Sequence, residues 1–208
     1  MTSHHANRPA AALAIALAAL AAAPASAPAT LYIHVGQINL LPDTPNQTAG
    51  IWVTTDSADQ VGGCNFNAQV AGGGPELGGL DGPDITGVDL TSGTIFAGNH
   101  LAQTDLGSLA QLAMYSVVTQ DGTVTADGLL ASLTFDTTGF SAIGSTWALE
   151  LSATHNGPTD FAPTGATITD GTIRIVPEPA TLLSLTGACL AAGGYLRRRL
   201  RIRRRRPE

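Results

Sequence analysis

Lysine is absent from this chain of 208 residues, aromatic side chains make up 5% of it and charged ones 12%, about half the charged share of an ordinary soluble domain. A coiled coil or a charged helical bundle needs more charge than that. Cysteine is nearly absent too. Cys64 lies mid-chain and Cys189 in an apolar segment near the end, so neither an internal disulfide nor a cysteine-based zinc site is expected. The basic residues are ten arginines, eight of them between Arg197 and Arg206. Residues 28–176 hold fourteen acidic side chains against Arg174 alone, a net of −13. Such a body repels polyanions and attracts divalent cations weakly, so nucleic acid is not an expected partner.

What is present at the two ends reads as targeting. Arg8, the apolar run Ala10 to Ala23 and the small residues Pro24 to Thr30 follow the three-part pattern of a secretory signal peptide, which assigns residues 1–29 to a leader. Pro28 follows Ala27 and disfavours cleavage there, leaving Ala25 or Ala29. His4 and His5 fall in this leader and are not expected as ligands. At the other end, Pro177-Glu178-Pro179 precedes an uncharged stretch from Ala180 to Leu196 and then the arginine block. Seventeen residues at about 1.5 Å rise cover about 25 Å, a short span for a hydrocarbon core of ~30 Å that snorkelling arginines and local thinning accommodate. Arg197, Arg198, Arg199 and Arg201 directly after it place the tail in the cytoplasm and residues 30–176 outside.

The run Pro177 to Arg206 resembles a PEP-CTERM sorting signal, with Pro177, Glu178 and Pro179 as the motif, residues 180–196 as the transmembrane helix and the arginines as the terminal cluster. The resemblance implies a bacterial envelope, surface or matrix protein that the membrane holds during sorting. It also implies recognition by an exosortase-type protease in a bacterium that makes exopolysaccharide. A tail anchor without processing is the alternative. The domain division is then 1–29 leader, 30–176 exported domain and 177–208 sorting signal.

The exported part alternates with a period of two. Cys64, Phe66, Ala68 and Val70 point opposite to Asn65, Asn67 and Gln69. Leu129, Ala131, Leu133 and Phe135 oppose Ser132, Thr134 and Asp136, and Trp147, Leu149, Leu151 and Ala153 oppose Glu150, Ser152 and Thr154. Less regular strands are expected at 31–40, 49–55, 85–90, 94–97, 112–119, 123–126 and 166–176, with Leu106 to Met114 as the one helical candidate. Turn signals such as Gly72-Gly73-Gly74-Pro75, Asp81-Gly82-Pro83, Asp121-Gly122, Asn156-Gly157-Pro158 and Asp170-Gly171 separate them too closely for ordinary helices. The expectation is an all-β domain, a single sandwich or barrel of nine or ten short strands.

Ile51-Trp52-Val53, Val61 to Asn67 and Gly128 to Phe135 resemble segments of the cohesin-like β-sandwiches and their carbohydrate-binding relatives in exported bacterial proteins. That resemblance implies a nine-stranded jelly-roll sandwich in which binding, of a polysaccharide or another surface protein, is expected rather than catalysis. A structural or adhesive role is the leading expectation, and a carbohydrate- or protein-binding module of cohesin type is the alternative. A secreted glycoside hydrolase comes third.

Catalytic constellations are sparse. Gly139-Phe140-Ser141-Ala142-Ile143-Gly144 has one residue too many for a nucleophile elbow. His34, His100 and His155 lack metal-ligand spacing. Glu76 and Glu150 are the only glutamates in the domain and, like Asp81 with Asp84, would have to face each other across a cleft to hydrolyse a glycoside. No catalytic residue and no organic cofactor are expected. Calcium, which takes clustered oxygen ligands, has candidate clusters at Asp56 with Asp59, at Asp81 with Asp84 and Asp89, and at Asn156 with Asp160, with Asp81 and Asp84 as the best guess. Among the aromatics Tyr32, Trp52, Tyr115 and Trp147, Trp147 alternates with leucines and is expected in the core, which leaves Trp52 as the candidate ligand-binding residue. Cys64 is expected as a small core residue. Asn46-Gln47-Thr48 fits a glycosylation sequon.

Overall fold

The computed structural model describes residues 30–178. The leader, Pro179, the span 180–196 with Cys189, and Arg197, Arg198, Arg199 and Arg201 lie outside the described residues. Strands run in the order β1 (Leu31–His34), β2 (Gln37–Leu40), β3 (Gln47–Thr55), β4 (Gln60–Val61), β5 (Gly63–Val70), β6 (Asp84–Asp89) and β7 (Thr104–Asp105). They continue as β8 (Leu112–Val118), β9 (Val124–Thr125), β10 (Gly128–Asp136), β11 (Thr146–Glu150), β12 (Asp160–Ala162), β13 (Ala166–Thr169) and β14 (Gly171–Ile175), with one 3-10 turn at Pro75–Leu77.

Two sheets face each other. One has the order β13-β1-β3-β10-β6; the other has β2-β14-β11-β5-β8-β7 with β12 added beside β5; β4 and β9 form a separate small pair. Most neighbours are antiparallel, but β1 with β13 and β2 with β14 are parallel. The chain changes sheet between β1 and β2 and again between β13 and β14, so the first and last ribbons run side by side through both layers. Leu31 pairs Ala166 at one end of this ribbon and Leu40 pairs Ile175 at the other. The chain therefore leaves the sandwich after Val176 beside the 41–46 and 137–145 loops, as Val176 N–H to Leu40 O at 2.9 Å and Gly144 N–H to Ile175 O at 2.9 Å record.

Between the sheets lies one core. Phe66, Phe96, Phe135, Ile33, Ile51, Leu133 and Leu149 are fully buried in it. Each large side chain there contributes about 1.5–3 kcal/mol by leaving water.

The all-β expectation holds, with instructive differences. Fourteen strands are present among the described residues against nine or ten expected, because the runs 31–40 and 166–176 each split where the chain changes sheet, and several pairings are only two or three residues long. The expected strand at 94–97 is a pair of turns, Ala97 N–H to Thr94 O and Asn99 N–H to Phe96 O both at 3.0 Å, that drop Phe96 into the core. The helical candidate 106–114 is instead the approach to β8. Asp105 Oδ1 accepts from Gly107 N, Ser108 N and Ser108 Oγ, and this local carboxylate competes with a helix for the same amides.

In β10 the alternation breaks at a bulge between Leu129 and Ala131. Leu130 and Ala131 are both buried, while Leu129 turns to the outer face. Ala153, expected inward, lies beyond β11 and is exposed.

Candidate functional site

Three surfaces carry chemistry. The first is the outer face of the five-stranded sheet. Register places Tyr32 opposite both Thr54 and Thr167, and His34 opposite both Trp52 and Thr169. On β10, Leu129 is opposite Trp52, and Ser132 and Thr134 are opposite Gly50 and Thr48. Trp52 is 55% exposed and Tyr32 39%, an unusual display of indole and phenol on a sheet face. Gly50 permits it: a Cβ there would stand 2.7 Å from Leu129 Cδ1 and 3.3 Å from Trp52 Nε1, too close for either to keep its place. The outward positions of β13, β1 and β3 include no carboxylate and no arginine, in a domain of net −13. Acid begins only at Asp136 and along the β6 edge. There burial opposes ionisation of Asp89, but hydrogen bonds from Ser92 and Thr91 outweigh it and hold the carboxyl down at about 2.

The second is the outer face of the seven-stranded sheet, and it is half covered. Asn67 and Gln69, expected to face solvent, are 4% and 6% exposed because residues 151–159 lie over them. Thr159 Oγ1 accepts from Asn67 N–H at 3.0 Å and donates to Asn67 O at 2.8 Å. Gln69 donates to Glu150 Oε2 at 3.3 Å and accepts from His155 N–H at 2.8 Å. The segment starts on Asp170, whose carboxylate accepts from the amides of Leu151 and Ser152 and from the Ser152 hydroxyl. Beyond this cover, Val118, Leu106 and Leu101 are exposed along the β7–β8 edge.

The third is a cleft of about 230 Å³ lined by Gly73, Gly74, Pro75, Glu76, Asp81, Asp84, Ala110 and Gln111. It brings Asp81 and Asp84 together as the sequence suggested. Gln111 Nε2 donates to Asp81 Oδ1 at 3.1 Å, Gly82 O at 2.6 Å and Asp84 Oδ1 at 3.3 Å. Glu76 shares the cleft and Glu150 does not, so the two glutamates do not meet across it. No group of three or more carboxylate, imidazole or thiol side chains able to hold a metal occurs among the described residues, so a cation in this cleft would draw on carbonyl and amide oxygens as well.

The remaining candidates are dispersed. Trp147, expected in the core, is half-buried at its margin, donating from Nε1 to Asp81 O at 2.9 Å and meeting Phe140 edge-on at 5.3 Å. Tyr115 is half-buried against the core, and its phenol is pushed up by burial and then by the Asp105 charge. Burial, and secondarily Asp160, pushes the Cys64 thiol far up, so it is a packing residue and not a nucleophile. Ser141 and Asn46 are exposed on loops. His34 lies on the first face, His155 on the covering segment, and His100 contacts Leu101 O at 2.9 Å. Asp59 is held low by the hydroxyls of Thr55 and Ser57, with which it closes its own turn.

Sequence reading missed Gln111, because it fell in a stretch read as helical. It also missed the grouping of Tyr32, His34 and Leu129 around Trp52, because strand pairing and a bulge are not visible in alternation.

No family model matches the chain, and no curated protein matches it. Solved structures do. The sixth cohesin of scaffoldin B from Acetivibrio cellulolyticus, solved with a Cel5 dockerin, is similar at 16% identity, over 72% of this chain and 99% of that one, with a TM-score of 0.50. The cohesins of two type I cohesin–dockerin complexes from Clostridium thermocellum, Coh-OlpC-Doc435 and Coh-OlpA-Doc918, are similar at 11% and 9% identity. They cover 76% and 71% of this chain and 99% of theirs, each with a TM-score of 0.51. At such identities the likeness is one of fold: the described region is a cohesin-like β-sandwich.

Proposed function

We propose that this chain is an exported bacterial surface protein whose sandwich is a non-catalytic binding module of cohesin type, engaging a partner protein through the outer face of the five-stranded sheet. The observation that carries the reading is Trp52, more than half exposed on a sheet face free of charge on three adjacent strands. Interface anchors are most often Trp, Tyr or Arg set among neutral contacts that exclude water, and Trp52 with Tyr32 among threonines has that composition. The fold supports a binding role by analogy, since the similar cohesins were solved with dockerin partners.

Delivery follows from the tail. Pro177-Glu178-Pro179 acts as the sorting motif for an exosortase-type protease, and Arg197, Arg198, Arg199 and Arg201 keep the end of the chain cytoplasmic while the membrane holds it. Trp52 lies toward the end of the sandwich opposite the exit at Val176, about 17 Å along β3 from Gln47 at the rise of a strand. An anchored domain thus keeps this face clear of the bilayer.

A second reading has one observation in its favour. Three adjacent strands free of charge that present an indole, a phenol and many hydroxyls also suit the face of a neutral polysaccharide such as the exopolysaccharide of the matrix. One experiment separates the readings: saturation binding of the protein to host envelope proteins and, in parallel, to host exopolysaccharide, for wild type, Trp52→Ala and Leu106→Asp. The proposal expects saturable binding to protein that Trp52→Ala weakens about 30-fold or more, the loss typical of an interface anchor. Binding to polysaccharide with the same dependence selects the second reading. Loss in Leu106→Asp with Trp52→Ala unaffected moves the site to the β7–β8 edge, and no binding by any arm removes the module reading. Intact mass from the native host tests delivery separately: a species ending near Pro177 supports sorting, and one retaining Arg197 to Arg206 supports a plain tail anchor.

A further inference from the structure

Three oxygens, Asp81 Oδ1, Gly82 O and Asp84 Oδ1, converge on the side-chain nitrogen of Gln111 within 3.3 Å. An amide NH2 has two hydrogens, so it cannot serve three acceptors at full strength, two of which are carboxylates bearing like charge. Arg174, the one arginine or lysine of residues 30–178, is not among the residues lining the cleft.

Gln111 itself is anomalous. It is 4% exposed, and its Oε1, aimed at the Gly74 wall of the cleft, is a buried polar atom without a hydrogen-bond partner. Such an atom normally finds a donor or a cation. Gly74, at φ 74°, is where the wall approaches: a Cβ there would collide with Oε1, so the backbone and the amide are fitted to each other. The loop is also held from behind, since Trp147 Nε1 donates to Asp81 O at 2.9 Å and Leu80 N–H to Ala71 O at 2.9 Å.

We propose that Asp81, the Gly82 carbonyl, Asp84 and Gln111 form a calcium-binding site. The two ends of a carboxamide have nearly the same shape, so a half-turn of the Gln111 amide puts Oε1 where Nε2 now stands, within 3.3 Å of each of the three other oxygens. Two are charged and two neutral, all are hard donors, and none is nitrogen or sulfur, which selects Ca²⁺ over zinc or copper. Irregular loop geometry suits calcium better than the strict octahedron of magnesium, and the open mouth beside Glu76 admits the waters that fill the remaining positions. Bound calcium would tie the 71–84 loop to the start of β8 and relieve the pairing of two carboxylates on one amide.

The location permits a local readout. Terbium(III), a calcium mimic that emits when a nearby indole is excited, would sit beside Trp147, one of two tryptophans in the chain. On the full chain in detergent, the proposal expects saturable terbium emission that calcium displaces and equimolar magnesium does not. Emission falls at least about ten-fold in Trp147→Phe and in Asp84→Asn, and is unchanged in Asp56→Asn. Calcium at a hundred times its Kd raises Tm by about 5–10 °C. Emission that survives both Trp147→Phe and Asp84→Asn overturns the proposal, as does an absence of saturable emission or a Tm that calcium leaves unmoved. Should Trp147→Phe fail to fold, Asp84→Asn decides alone.

Discussion

The two outer faces of this sandwich are built from strands of similar pattern, yet one lies open and the other is half closed. On the five-stranded sheet the outward side chains of β13, β1 and β3 are threonine, histidine, tyrosine and tryptophan beside Gly50, with Leu129, serine, threonine and Asp136 following on β10. On the seven-stranded sheet Asn67 and Gln69 are buried beneath residues 151–159. The difference is one of pairing. The buried polar groups beneath residues 151–159 meet matching ones: the Thr159 hydroxyl satisfies both backbone groups of Asn67, and the Gln69 amide spans Glu150 and the His155 amide. The open side offers exposed hydroxyls and aromatic rings that no covering segment of the described residues pairs, and it is the side that the proposed function assigns to another molecule. A polar residue on a strand therefore does not by itself mark the solvent face.

The sharpest way to break this contrast is Thr159→Val, which leaves the Asn67 N–H and carbonyl buried without partners. We expect a loss of about 2–3 kcal/mol in denaturant unfolding and faster amide exchange across 65–69. A change below about 0.5 kcal/mol would show that the cover is not held by these bonds. Asp170→Ala removes the acceptor of the Leu151 and Ser152 amides where the covering segment begins. Its expected cost is about 1–2 kcal/mol, with enhanced proteolysis confined to 151–159 as the confirming sign.

The acid limb concerns the border of the open face. The Asp89 carboxyl is lowered from 3.8 to about 2 in the folded protein, so its contribution is complete above pH 4 and is lost as pH falls from 4 through 2. Asp105, held down by the Ser108 and Gly107 amides, and Asp136, held down by Thr138, shift in the same direction. Asp89→Asn should flatten part of the stability loss over that interval; an unchanged acid limb would place its origin elsewhere. Least visible in stability is Trp52→Ala, an exposed substitution expected within about 0.5 kcal/mol of wild type. The proposed function puts its effect in binding, and a large destabilisation would mean that the indole is part of the packing.

Much of the fold was legible because a buried inner face must repeat every second residue. Phe66 with Val70, Leu133 with Phe135, and Leu149 announced their orientation for that reason. Three physical causes hid the rest. The bulge at Leu129–Ala131 reverses phase without any sequence mark. The sheet changes near Val35 and Asp170 turn two apparent strands into four. Phe96 reaches the core from paired turns, which carry no periodicity. At the candidate sites, Asp81 and Asp84 were legible as a pair because they are three residues apart around one Gly-Pro turn, and Trp52 because Trp147, alternating with leucines, was assigned to the core. Gln111, Tyr32 and His34 join them through contacts made between distant segments.

The central claim is that the open face around Trp52 is where this module binds. Trp147→Phe leaves Trp52 as the sole indole, and labelling that variant with 5-fluorotryptophan gives a single fluorine resonance on the face itself. Titration with the envelope protein or exopolysaccharide that the saturation experiment identifies should shift or broaden this resonance until it saturates. A resonance that stays unmoved while binding is demonstrably saturated would contradict the account and send the search to the β7–β8 edge.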